Sequence, residues 1–172
     1  MRYGAEPDVG PAMRDTAEQW PHVSALLERV GFVRGDRSEF VYLADADRLP
    51  HVHPVSGLDV VRTLGVAGTR FTARVDAADA GYVEVGTGIG GTGRFTSGDE
   101  WADIGSLRVD PAHRRRGIAT RLLAEVGDWL RLARVPRLLA YALPDEVEHR
   151  TLLERHDFRL LTRTHREWTL PT

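Results

Sequence analysis

The sequence predicts one mixed α/β domain, and three observations point to it. The first is a change of hydrophobic period within residues 102–134. An apolar run carrying Ile104, Leu107 and Val109 stops at Asp110-Pro111, and from Gly117 onward Ile118, Leu122, Val126, Trp129, Leu130 and Ala133 recur at helical spacing. This reads as strand, basic loop, helix. The second is a series of short alternating segments between residues 58 and 86, separated by turn residues, which reads as a meander of strands. The third is size: 172 residues with 42% hydrophobic content suit one domain with a substantial core.

Taken in order, residues 1–13 mix Gly, Pro and charge and are expected to be disordered or loosely attached. Residues 16–30 read as a helix interrupted at its start by Pro21, with Val23, Leu26, Leu27 and Val30 on one face and Gly31 at the stop. Residues 40–43 form a short strand, so 14–50 is expected to be a helix-strand appendage, and 45–57 a linker rich in turn residues. The main domain is placed at 57–170. Its first strands are residues 58–64, 69–75 and 81–86, with a turn at 76–80. Residues 86–91 contain Gly-x-Gly-x-x-Gly, but the sequence continues as loop to Gly98, whereas a dinucleotide fingerprint must open a helix. A loop over a cleft, or a plain connection, is the reading there. Pro136 ends the long helix, and residues 137–143 make a nearly continuous apolar strand suited to burial on both faces. A helix from Pro144 to Asp157 follows, with acids in its first turn, and a strand at residues 167–170 closes the chain.

Composition narrows the chemistry. A net charge of -2 argues against generic nucleic-acid binding. No cysteine means no disulfide, thiolate metal site or Cys nucleophile. All 23 basic residues are arginine, which removes Schiff-base and Walker-type lysine chemistry, and asparagine is absent as well. That bias, with abundant Gly, Ala and Val, is expected of a GC-rich bacterial genome. No apolar run reaches membrane-spanning length and no signal-peptide core is present, so no membrane partner and a cytoplasmic location are expected. His51 and His53 lie in the linker without a His-Glu-x-x-His context, and Ser106 lacks a Gly-x-Ser-x-Gly elbow, so no metal site and no hydrolase are expected.

The strand-loop-helix junction is where chemistry concentrates. The first N–H groups of a helix are unpaired, and Arg114, Arg115 and Arg116 stand beside them, a natural seat for a phosphate. Gly117 and Ala119 let an anion approach the main chain. Three consecutive arginines also fit a solvated charge run or a nucleic-acid contact. Arg114, Gly117 and Ala119 meet the pattern Arg/Gln-x-x-Gly-x-Gly/Ala, preceded by Leu107-Arg108-Val109-Asp110-Pro111 and followed by an amphipathic helix. In this the sequence resembles the GNAT superfamily of acetyl-CoA-dependent N-acetyltransferases.

The resemblance implies a mostly antiparallel sheet flanked by helices, with a splayed strand pair that admits the pantetheine arm. It implies acetyl-CoA as co-substrate, without a metal, held by Leu107, Arg108, Val109, the arginine run, Gly117, Ile118, Ala119 and Thr120. Acyl transfer to an amine needs a base for the amine and a proton or dipole for the leaving thiolate. Asp103 occupies the place where several members carry a glutamate base; Glu84, Asp99 and Glu100 are weaker acidic candidates. The tyrosine that commonly protonates the thiolate would fall at Leu153, and Glu146 or His149 stands where an asparagine is usual, so Tyr141 and His149 are the substitutes considered. Residues 26–32, Leu-Leu-Glu-Arg-Val-Gly-Phe, echo residues 152–158, Leu-Leu-Glu-Arg-His-Asp-Phe, so residues 15–45 resemble the tail of a second repeat, against the alternative that this is common helical vocabulary. The expected activity is direct transfer from acetyl-CoA to a primary amine of a small molecule or peptide, in a ternary complex. A degenerate acyl-CoA-binding module is one alternative and nucleic-acid binding through residues 114–116 another; a homodimer is also open.

Overall fold

The computed structural model describes residues 12–53, 56–66, 68–87 and 101–171. Its centre is the strand-loop-helix junction. Strand β7 (Trp101–Val109) ends at Asp110, whose carboxylate accepts the Ala112 N–H at 2.8 Å and folds the chain into a 3₁₀ turn at Pro111–His113. Helix α2 (Ile118–Ala133) follows. It buries Leu122, Leu123, Val126 and Leu130 in the main core with Phe71, Val83, Val85, Ile104 and Leu138. It stops at Ala133, ahead of Pro136, because left-handed Arg134 lets the Val135 N–H close back on the Leu130 carbonyl at 3.0 Å.

Around this unit run β1 (Ala12–Ala17), α1 (Pro21–Arg29), β2 (Val33–Arg34), β3 (Ser38–Asp45), β4 (Leu58–Leu64), β5 (Thr69–Val75), β6 (Ala78–Gly86), β8 (Arg137–Ala142), α3 (Val147–Arg155) and β9 (Arg159–Thr169). The strands form one sheet in the order β1-β9-β3-β8-β7-β6-β5-β4, with β2 also on β9. Every pairing is antiparallel except β7 with β8. The mixed, mostly antiparallel sheet with flanking helices is the fold expected from the sequence.

Several boundaries differ from expectation. The helix expected from Thr16 begins at Pro21: Ala12–Ala17 is an edge strand on β9, and proline, lacking an N–H, suits the first helical turn. Met13 therefore belongs to a strand, while residues 1–11 lie outside the described part. The strand expected at 40–43 runs from Ser38 to Asp45, and the one expected at 167–170 begins at Arg159. The turn at 76–80 tightens to Asp76-Ala77, both with positive φ. The last helix begins at Val147, not Pro144. Of the glycine-rich loop, residues 88–98 lie outside the described part.

Residues 14–50 do not hang beside the sheet. β3 pairs with β8 through Phe40–Asp45 and with β9 on its other edge, so it is an interior strand. The echoing segments end alike. Gly31 and Asp157 are both left-handed, the Phe32 N–H closes on the Leu27 carbonyl at 2.9 Å, and the Phe158 N–H closes on that of Leu153 at 3.1 Å. Leu27 and Leu153 are both buried, and β3 and β9, the long strands that follow, are partners.

Candidate functional site

The ladder between β7 and β8 holds only at Trp101–Arg137, Ala102–Leu138 and Asp103–Leu139. Beyond it the parallel strands part, leaving the β7 edge open from Ile104 to Val109. The cause is visible in the next pairing: Glu84 faces Ser106 while Val85 faces Ile104, so Gly105 is an extra residue, a bulge that bends β7 where it leaves β8. Two clefts lie along the opening, and Leu107 and His149 line both.

The first cleft, about 570 Å³, sits over the start of α2. It is lined by nine of the ten residues assigned to the cofactor from the sequence: Leu107, Arg108, Val109, Arg114, Arg115, Gly117, Ile118, Ala119 and Thr120. Arg116 is exposed and outside this lining. Arg115 and Gly117 are left-handed at φ 62° and 77°; at Arg115 that conformation stores strain on the order of 1 kcal/mol, a cost tolerated where backbone is shaped for a ligand. The first helical bond of α2 runs from the Arg121 N–H to the Gly117 carbonyl at 2.9 Å, so the N–H groups of Ile118, Ala119 and Thr120 have no partner inside the helix. The Arg114 guanidinium is anchored on the Val109 carbonyl at 3.4 Å, and Arg155 of α3 adds a fourth arginine to the wall. This cradle fits a phosphate-bearing ligand: positive charge, unpaired N–H groups, and open space at the Gly117 Cα.

The second cleft, about 600 Å³, is lined by Glu39, Asp103, Ile104, Gly105, Ser106, Leu107, Tyr141, Glu146 and His149. All three residues considered for catalysis from the sequence, Asp103, Tyr141 and His149, are therefore on one cavity. Asp103 faces Leu139 across the parallel ladder, and Tyr141, two residues further on, stands on the same side of the sheet. Burial pushes the Asp103 carboxyl above its ordinary value, opposed by its own backbone hydrogen bond. Burial pushes His149 below the usual imidazole range, opposed by Glu146, whose carboxylate lies 3.9 Å from Nδ1; His149 Nε2 is buried without a partner. Leu153 is fully buried in the main core and lines neither cleft. The weaker acidic candidate Glu84 is also buried, paired with Arg70 at 3.2 Å; Asp99 and Glu100 lie outside the described residues.

Sequence reasoning missed Glu39. It sits on β3, far along the chain from β7, next to an apolar run and in no motif; only the insertion of β3 beside β8 brings it to the cleft. It also missed His113, Glu148, Thr151 and Arg155 of the first cleft. Among the described residues no group of three metal-ligating side chains occurs, and no helix is long and apolar enough to cross a membrane.

The family model described as the Acetyltransferase (GNAT) family matches residues 69–158, from the first residue of β5 to the residue before β9, just over half of the chain. The chain belongs to this family. Among solved structures it is similar to a tandem GNAT protein from the clavulanic acid biosynthesis pathway, with TM-score 0.66 and 20% identity over 87% of this chain. It is also similar to a GCN5-related N-acetyltransferase from Kribbella flavida, with TM-score 0.66 and 11% identity over 92%, and to one from Sphaerobacter thermophilus, with TM-score 0.65 and 15% identity over 96%. At these identities the likeness is one of fold. The chain spans 58%, 68% and 61% of the lengths of those three proteins. No curated protein sequence matches it.

Proposed function

We propose that the protein transfers an acetyl group from acetyl-CoA to a primary amine by direct attack in a ternary complex. The observation that carries this is the opening between β7 and β8, which joins an arginine-lined cradle at the α2 N-terminus to a carboxylate-lined cavity at Asp103. The cofactor's diphosphate belongs over the N–H groups of residues 118–120 with Arg114 and Arg115 beside it, and its extended arm against the free edge of β7, whose main-chain groups there lack a strand partner. The thioester, when bound, supplies an activated acyl carbon.

Asp103 takes the ammonium proton, and its raised pKa makes it a stronger base than an exposed aspartate. As the carbon–nitrogen bond forms and the carbon–sulfur bond breaks, the Tyr141 phenol gives a proton to the departing sulfur and is restored by the surplus proton of the new amide nitrogen. His149, uncharged near neutral pH, suits a polar wall at the junction better than an acid. A cytoplasmic enzyme is the setting such a donor implies. The second reading, an acyl-CoA-binding module without turnover, is favoured by the burial of Leu153, which leaves that family position without an acid.

Calorimetric titration with acetyl-CoA, of the parent and of an Arg114→Glu, Gly117→Glu double variant, tests the cradle. Binding in the parent and loss in the variant is the expected outcome, and a parent that does not bind overturns the reading. Amine-dependent thiol release then separates the two readings: binding with no release from any amine supports the module.

A further inference from the structure

The cofactor cleft has two walls. One is the β7–α2 junction, from Leu107 to Thr120, and the other is α3, which lines it from Val147 to Arg155. A hydrogen bond ties the first wall to the end of the second: Thr120 Oγ1 and His156 Nε2 lie 3.0 Å apart. Thr120 lines the cofactor cleft and His156 lines neither cleft, so the imidazole stands behind the hydroxyl.

The imidazole is held in place by the way α3 ends. The His156 and Phe158 N–H groups both close on the Leu153 carbonyl, at 2.9 and 3.1 Å, and Leu153 and Phe158 are buried in the main core. Burial pushes His156 below the usual imidazole range, with Asp157 opposing and Arg155 assisting, so the ring is uncharged at neutral pH. Ending a helix in this manner does not require a histidine. The echoing segment ends α1 with a left-handed Gly31 and a Phe32 N–H returning to the Leu27 carbonyl, and the residue in the place of His156 is Val30, 55% exposed. The histidine stands at the helix end that adjoins the cradle.

A neutral imidazole allows two directions for the bond to Thr120. With the proton on Nδ1, Nε2 accepts from the hydroxyl, which then turns only lone pairs to the cleft. With the proton on Nε2, the ring donates to Oγ1 and the hydroxyl proton is free for another acceptor. An anion seated beside Thr120 selects the second arrangement, because it accepts a charge-assisted hydrogen bond from the hydroxyl.

We infer that His156 is a positioning residue for the cofactor: its Nε2–H donates to Thr120 Oγ1 and so makes the Thr120 hydroxyl a donor to the diphosphate. This deepens the acetyl-transfer reading and rests on its placing of the diphosphate over residues 118–120. The hydroxyl then adds to the N–H groups at the start of α2, and the same bond keeps the two walls of the cleft in register.

The test is a mutant cycle read in cofactor affinity. CoA is titrated calorimetrically into the parent, His156→Val, His156→Gln, Thr120→Val and the Thr120→Val, His156→Val double variant, and each is melted without ligand. His156→Val gives α3 the residue that ends α1, so its melting temperature is expected to stay close to the parent's while CoA affinity falls about tenfold, as loss of one charge-assisted hydrogen bond implies. His156→Gln, whose amide N–H can reach Oγ1, is expected to retain most of the affinity. Thr120→Val should lose as much as His156→Val, and the double variant no more than either, because the two side chains act as one unit. In turnover, His156→Val should raise KM for acetyl-CoA and leave kcat, since the ring lines neither cleft. Unchanged affinity in His156→Val overturns the inference, as do losses that add in full in the double variant or a loss that His156→Gln shares; each leaves the transferase reading standing. A non-additive loss without thiol release from any amine would sustain the inference and sink the transferase reading, and a parent that binds no CoA would overturn both.

Discussion

Asp103 carries two consequences of one cause. Burial raises its pKa, so the carboxylate is a better base and also a less comfortable charge. Asp103→Asn is expected to lower kcat by about 10²–10⁴, the usual worth of a positioned base. With Asp103 as the proposed base, the parent's rate requires the ionised form, so it should fall on acidification through a pKa above the ordinary carboxylate value. The stability effect has the opposite sign. A carboxyl with a raised folded pKa binds its proton more tightly when folded, so its contribution is greatest at low pH and declines as pH rises through the folded pKa. Asp103→Asn should therefore leave the melting temperature at neutral pH unchanged or higher, and a marked drop would show that the side chain is structural. Asp103 was legible because its place before the Leu-x-Val-x-Pro strand end follows from chain order alone. Glu39 was not, because a residue's presence in a cavity built by strand insertion is a property of the sheet order rather than of its neighbours in sequence.

At the scale of the element, the junction of β7 and α2 was legible because both periods and the turn residues between them agree, each local signal reinforcing the next. β9 was read too short because residues 162–166, Thr-Arg-Thr-His-Arg, are polar on both faces. Their strand conformation comes from pairing with β1 on one side and β3 on the other, not from burial of an apolar face. The bulge at Gly105 was also invisible, since a bulge exists only relative to a partner strand. Gly117 lets conformation be separated from ligand contact. A Cβ there meets nothing within 4 Å, so Gly117→Ala should cost only the left-handed backbone penalty, on the order of 1–2 kcal/mol. Gly117→Glu adds negative charge where the diphosphate is proposed to sit. Thermal melts and acetyl-CoA titrations of both variants are expected to show similar melting temperatures, with affinity retained in the alanine variant and lost in the glutamate one. Equal loss of affinity in both would point to backbone shape rather than charge as the determinant.

For the whole molecule the decisive fact is that β3 lies between β8 and β9. The family span begins at residue 69, and sequence reading alone set the main domain to begin at 57, so a fragment lacking the N-terminal segment looks self-sufficient on both grounds. The sheet argues otherwise. β3 donates and accepts along both edges, and Val41, Tyr42, Leu43 and Ala44 are all buried, Tyr42 being only 1% exposed. Without residues 1–45, β8 loses its partner on the side away from β7, and β9 loses β1, β2 and β3 together, leaving it without any strand partner. The fragment would then expose one edge of β8, both edges of β9 and the apolar surface that Tyr42 and its neighbours cover, which is a template for aggregation. The fragment of residues 46–172 is expected to be insoluble or to melt without a cooperative transition. The full chain carrying Tyr42→Ala should unfold cooperatively but be destabilised by about 3–5 kcal/mol, as for other large buried aromatics. Circular dichroism melts of both decide the matter. A cooperative fragment with native-like acetyl-CoA affinity would make the N-terminal segment dispensable to the cofactor cleft and would confine its contribution to the second cleft, which Glu39 lines.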